Sequence, residues 1–169
     1  TAAAFSSDGS ALLTACSDGS ARLWNAEDGK IKAVLRRHAG ALRHVGFAPS
    51  GTRIITIGED RTARLWNEVG NPIAALTGHT EAISGAVFSP DNRHLAPTSD
   101  DCTLRVWDLS QKTSRAYFGH TDEVWRAAWS PDQSRIATTS RDASVRVWDL
   151  ESGAAQVLLG HRSGIRNVV

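Results

Sequence analysis

The chain is a succession of short runs in which apolar and polar residues alternate. Thr103-Leu104-Arg105-Val106-Trp107 and Ser144-Val145-Arg146-Val147-Trp148 are two of them. A period of two sends successive side chains to opposite faces, which is the pattern of a half-buried strand. Clusters of Asp, Gly, Ser and Pro bound the runs, so neighbouring strands are expected to be joined by hairpins. In the last full stretch the strands are expected near 124–129, 135–139, 144–149 and 154–159. No segment carries a helical period, and the expected class is all-β.

The alternation recurs with a longer period, and a repeat of this length decides the architecture. Tryptophan followed by Asn or Asp occurs at Trp24, Trp66, Trp107 and Trp148, at spacings of 42, 41 and 41. His38, His79, His120 and His161 are each 41 apart, the last three preceded by glycine and the first by Arg37. Asp18, Asp60, Asp101 and Asp142 each stand six residues before a tryptophan. The aromatics Phe5, Phe47, Phe88 and Trp129 are followed by the turn segments SSDG, APSG, SPDN and SPDQ. The repeat boundaries are a partial unit at 1–37, full units at 38–78, 79–119 and 120–160, and the start of a fifth at 161–169, within one domain.

With these marks in fixed phase, the chain resembles the WD-repeat family of β-propellers over essentially its whole length. The resemblance implies one four-stranded antiparallel blade per repeat, set radially around a channel. It also implies that His, Ser/Thr, Asp and Trp of a repeat form one hydrogen-bonded set. The matching residues are His38, Thr56, Asp60 and Trp66 in one repeat and His120, Thr138, Asp142 and Trp148 in another. A buried indole N–H needs an acceptor, a threonine hydroxyl can accept it and donate to imidazole, and the other imidazole nitrogen can donate to a carboxylate. Two repeats depart from this. His79, Asp101 and Trp107 meet Pro97 where the hydroxyl should stand, and proline also removes a ladder N–H from an interior strand. Thr14, Asp18 and Trp24 have no preceding histidine, while His161 has no residues after it to complete a set.

A hydroxyl, an imidazole and a carboxylate also spell a hydrolase triad. A catalytic centre needs one open site with an oxyanion hole, and a buried set repeated blade after blade has neither. The chain is expected to be no enzyme, with no cofactor and no metal; His44 and His94 lack ligand company at metal spacing. Arg22, Arg64, Arg105 and Arg146, each two residues before a tryptophan, are expected to form a solvated stripe.

Nineteen basic and eighteen acidic side chains leave a net charge of +1, which argues against nucleic acid or an anionic membrane as partner. Cys16 and Cys102 occupy non-equivalent places, so no disulfide and a cytoplasmic location are expected. The expected function is a non-catalytic scaffold for proteins or peptides, within a larger signalling or assembly protein. The resemblance places Arg43, Ser84, Trp125 and Arg166 near one mouth of the channel, with Thr1 matching, and Ser17, Glu59, Asp100 and Arg141 on the same face. Glu123 adds acidic character there. Trp125 stands where the other repeats have Arg, Ser, Arg and Thr; it is either a binding anchor or a ring packed beneath a neighbouring loop.

Four blades of a seven- or eight-bladed propeller sweep roughly half a circle. The chain is therefore expected to be a segment of a longer array, or half of an eight-bladed ring closed by a head-to-tail homodimer. A strained four-blade ring is the third solution. The chain contains no methionine, which keeps a fragment or an engineered set of blades, without a ligand of its own, among the alternatives.

Overall fold

The computed structural model describes residues 2–168. Sixteen strands form four antiparallel sheets of four, each in simple chain order, and no helix occurs among the described residues. The first blade is β1 (Ala3–Phe5), β2 (Ala11–Ala15), β3 (Ser20–Asn25) and β4 (Ile31–Arg36). The second is β5 (Leu42–Phe47), β6 (Arg53–Gly58), β7 (Ala63–Asn67) and β8 (Pro72–Leu76). The third is β9 (Ile83–Phe88), β10 (His94–Ser99), β11 (Thr103–Asp108) and β12 (Thr113–Phe118). The fourth is β13 (Val124–Trp129), β14 (Arg135–Ser140), β15 (Val145–Asp149) and β16 (Ala155–Leu158). The four strands expected for the last repeat are met to within one residue. Residues 161–168, the expected start of a fifth repeat, contain no strand.

The chain divides into two compact units, Thr1–Ile83 and Ser84–Val169. In the first, Leu13, Leu23 and Leu35 of one blade meet Leu42, Val45, Ile54 and Trp66 of the next in one apolar cluster. In the second, Ala96, Leu104, Val106 and Tyr117 meet Ile136 and Trp148. A blade cannot bury its own faces, so neighbouring blades do it for each other. Leu13, Leu23, Ile54, Leu104 and Ile136 are fully buried, and each such side chain stabilises by roughly 1.5–3 kcal/mol.

Turns carry the punctuation. After each turn aspartate comes a residue in the left-handed region: Gly19 (φ 79°), Arg61 (63°), Cys102 (66°) and Ala143 (64°). Only the first is glycine, and a Cβ there would lie 2.9 Å from the Gly40 carbonyl oxygen. The central ladders match from blade to blade, with Ile54 opposite Trp66 and Ile136 opposite Trp148. One is interrupted. Strand β10 pairs His94 with Asp108, Leu95 with Trp107 and Thr98 with Leu104, skipping Ala96 and Pro97. The missing amide hydrogen of proline accounts for the gap.

Candidate functional site

Each turn aspartate is fixed first by its own turn. Asp142 Oδ1 accepts the Ser144 N–H at 2.9 Å and the Ser144 hydroxyl at 2.6 Å. Asp18 does the same with Ser20, Asp60 with Thr62 and Asp101 with Thr103. These are Asx turns, and the hydroxyl two residues after each aspartate is a regular sequence mark that the tryptophan and histidine spacing overshadows.

The second carboxylate oxygen of Asp142 meets Nδ1 of His120 at 2.7 Å and the Thr121 N–H at 3.1 Å. His120 Nε2 lies 2.8 Å from the Thr138 hydroxyl, which accepts the Trp148 indole N–H at 2.8 Å. In the second blade, His38 reaches Asp60 and Thr56 at 2.8 Å each, and Trp66 donates to Thr56 at 2.9 Å. Both threonines are wholly buried, and both imidazoles are 1% exposed.

Burial pushes both histidines below their ordinary 6.5, further than Asp60 and Asp142 pull them back. Burial raises the carboxyls, but hydrogen bonds from His38, Thr62 and Ala39 together hold Asp60 below its ordinary value. Asp142 is lowered likewise, by Ser144, His120 and Thr121 against the same burial. The imidazole is thus neutral, with Nδ1 donating to carboxylate and Nε2 accepting from threonine. Both hydrogen-bonding directions of each hydroxyl are committed. Such a set ties the histidine loop to the aspartate turn, and its chemistry is structural.

The other two sets are incomplete. Trp24 donates to Thr14 at 2.9 Å, while Asp18 is held by its turn with Ser20, by Cys16 and by Arg22 at 3.7 Å, with no histidine on it among the described residues. No hydroxyl stands at position 97, and Thr98 faces the other way, towards Gly85 and the Trp125 carbonyl. His161 is exposed. The expected arginine stripe is corrected. The guanidinium of Arg146 lies 5.8 Å from the Trp148 ring centroid, Arg64 approaches Asp60 at 3.8 Å, and Nε of Arg64, Arg105 and Arg146 is buried. A residue two positions from tryptophan shares its strand face, so Arg146 lies over the indole of Trp148, and the arginines are part-buried instead of standing wholly in water.

The family model for the WD domain, G-beta repeat, matches residues 1–25, 29–67, 70–108 and 111–149. The chain belongs to the WD-repeat family. The comparison with curated proteins gave no match. WD repeats generally serve as protein-interaction scaffolds, and the resemblance sets the expected partner surface at the end of the blades that carries the histidine loops.

In the second unit of this WD-repeat chain four of the expected residues meet there. Trp125 is half-buried, and its indole N–H donates to Glu123 at 3.0 Å. The other oxygen of Glu123 accepts from Arg141 at 3.2 Å, and Asp122 lies 3.8 Å from the same guanidinium. Arg166 places its guanidinium 5.6 Å from the Trp125 ring centroid. Gly164 passes so close that a Cβ would lie 2.8 Å from Trp125 Cη2. The tail 161–168 therefore covers part of the ring. It is anchored by the Ile165 N–H to the Ser140 carbonyl at 3.0 Å, as Leu42 is to Cys16 at 3.2 Å where the second blade follows the first.

The remaining candidates stand differently. Ser84 is turned inward, its hydroxyl donating to the Val124 carbonyl and lying 3.2 Å from the Thr98 hydroxyl. Asp100 is half-buried at the β10–β11 turn. In the first unit Arg43 and Glu59 are exposed and 3.7 Å apart, and Ser17 is exposed. Thr1 lies outside the described residues. Among the described residues no cluster of His, Cys, Asp and Glu has metal-binding form, and no helix is long and apolar enough to cross a membrane.

Proposed function

We propose that this WD-repeat chain is a non-catalytic scaffold that binds a protein or peptide partner through the end of its blades bearing Trp125. The reading is carried by the Trp125 cluster. A large ring, held by Glu123 and flanked by the cations Arg141 and Arg166, is exposed on part of its surface. Interfaces are dominated by a few aromatic and arginine anchors within a polar rim. The mixed charge suits a peptide carrying both signs and disfavours a phosphate backbone or a membrane. A cytoplasmic location, within a larger signalling or assembly protein, completes the reading; it rests on the two free cysteines. In a pull-down with the chain as bait, Trp125→Ala should lose at least about tenfold of its specific partner, with the unfolding temperature unchanged. A partner retained equally by both baits would overturn the assignment.

A second copy is proposed as a further partner, joined head to tail into an eight-bladed ring. Phe5, in the inner strand of the first blade, is 65% exposed, whereas the equivalent Phe88 is 6% exposed. The Thr14–Trp24 pair there receives no histidine from the described residues of its own chain, while His161 is exposed and next to a tail seated like the start of another blade. Light scattering should then give twice the chain mass of 18.2 kDa. A folded, soluble monomer would exclude the homodimer and leave a longer array, or a self-contained set of blades, as the setting of these repeats.

A further inference from the structure

In an antiparallel four-stranded blade the first and third turns lie at the end opposite the second. The histidine sets occupy the second-turn end, and the opposite end of the second unit holds a groove of about 630 Å³ between its two blades. That volume lies within the range of roughly 300–1,000 Å³ typical of specific sites. Three rings line it: Trp129 and His94, with centroids 5.9 Å apart and tilted at 37°, and Tyr117. Three carboxylates join them: Asp91, Asp108 and Glu151.

His94 lies near Asp91 and Asp108, and Arg93 near Asp91, but no lysine or arginine forms a salt bridge with the three carboxylates among the described residues. Asp108 receives the Ser110 N–H, the Ser110 hydroxyl and the Gln111 N–H, all on Oδ1, and Oδ2 has no partner among the described residues. These bonds, from Ser110 first and then Gln111, hold Asp108 at about 2, so it is charged at neutral pH. The Glu151 carboxylate has no partner among the described residues either. The groove's one arginine, Arg115, is committed to the wall: it donates to the carbonyls of Leu150 at 2.9 Å, Glu151 at 3.0 Å and Ser152 at 3.2 Å, and stacks 5.2 Å from the Tyr117 centroid.

The repeat provides its own control. The corresponding groove in the first unit is about 430 Å³ and is lined by Asp8, Ala11, Lys32 and Phe47, among others. Ala11 stands at the place of His94, Phe47 at that of Trp129 and Val69 at that of Glu151, and Asn25 at that of Asp108. The first groove carries the carboxylates of Asp8 and Glu68, one fewer than the second, and the acidic residues at the positions of Asp108 and Glu151 and at least two of the three rings are particular to the second unit. Repeat architecture does not demand them.

We propose that this groove is a docking site for an arginine side chain presented by an extended partner polypeptide. Charge complementarity fixes the sign of the occupant, and the combination of ring faces with carboxylates lining the same groove selects a planar guanidinium, which stacks and forks to carboxylate oxygens at once. The site stands apart from the Trp125 face and does not depend on it.

The test is an NMR titration of the isotope-labelled chain with a capped Gly-Arg-Gly peptide, against capped Gly-Gln-Gly. The arginine peptide is expected to move the Trp129 indole resonance, assigned by Trp129→Phe, while the other five indoles stay in place. Glu151→Gln, which removes no hydrogen bond of the fold, should weaken the response about fivefold, and Asp108→Asn should weaken it further. Trp125→Ala should leave it unchanged, so this site and the Trp125 face fail or stand separately. Equal shifts with both peptides, or an undiminished response in Glu151→Gln, would overturn the proposal.

Discussion

The blades β5–β8 and β13–β16 complete their histidine sets; β1–β4 and β9–β12 do not. Strand order is the same in the two kinds, and apart from the short β1 (Ala3–Phe5) the strands run to four to six residues in both. What differs is the tryptophan. Trp66 and Trp148 are 2% and 3% exposed, whereas Trp24 and Trp107 are only half-buried. The blade is therefore built by the alternation of apolar residues and the packing of Leu and Ile between neighbours. Trp66 and Trp148 each join an apolar cluster with the preceding blade of their own unit, and the hydrogen-bonded set is a separate increment that satisfies the polar edge of a ring so enclosed. An indole N–H can leave water only where a partner waits for it.

The sharpest way to break this comparison is to remove the same hydroxyl from both kinds of blade. Thr138→Val leaves the Trp148 N–H and His120 Nε2 without a partner where neither meets water. Each orphaned group costs roughly 1–3 kcal/mol, so a loss of about 3 kcal/mol is expected in urea unfolding. Thr14→Val removes one bond, between residues that are both half-buried, and should cost about 1 kcal/mol or less. Equal losses would mean that burial and hydrogen bonding are not coupled as described.

The fold was legible because its signals are redundant. Each strand is announced by alternation, each turn by Asp, Gly or Pro, and each repeat by a tryptophan, so an error in one mark is caught by another. The sets of His38 and His120 were legible for the same reason. The arginines before each tryptophan depart from the expected solvated stripe because their period-two relation to the ring puts them on its face, where a long apolar stem can be part-buried while the charge reaches water. The groove beside Trp129 was not legible at all. Its residues come from four strands and three turns of two blades, and most fall on positions that vary between repeats, so no spacing connects them. Trp125 falls between these cases. Its irregularity within the repeat singled it out, but the tail that covers part of its ring comes from about forty residues further along the chain.

The smaller effect sharpens the comparison from the other side, by trying to turn an incomplete blade into a complete one. Pro97→Thr places a hydroxyl where Thr56 and Thr138 stand in the complete blades, and returns an amide hydrogen to the gap in the β10–β11 ladder. The two gains are independent, since one is on the side chain and the other on the backbone. Each hydrogen bond adds roughly 1 kcal/mol, and the freed backbone of the unfolded chain takes back about 0.4–1 kcal/mol, because proline restricts that chain more than threonine does. A net stabilisation of about 1 kcal/mol is expected, with a rise of a few degrees in the unfolding temperature for a chain of this size. The side-chain share can be isolated with Pro97→Val, which restores the amide without the hydroxyl. Should Pro97→Val stabilise as much as Pro97→Thr, the gap in the ladder alone weakens the third blade, and the threonine hydroxyl matters only where histidine and tryptophan are both already enclosed.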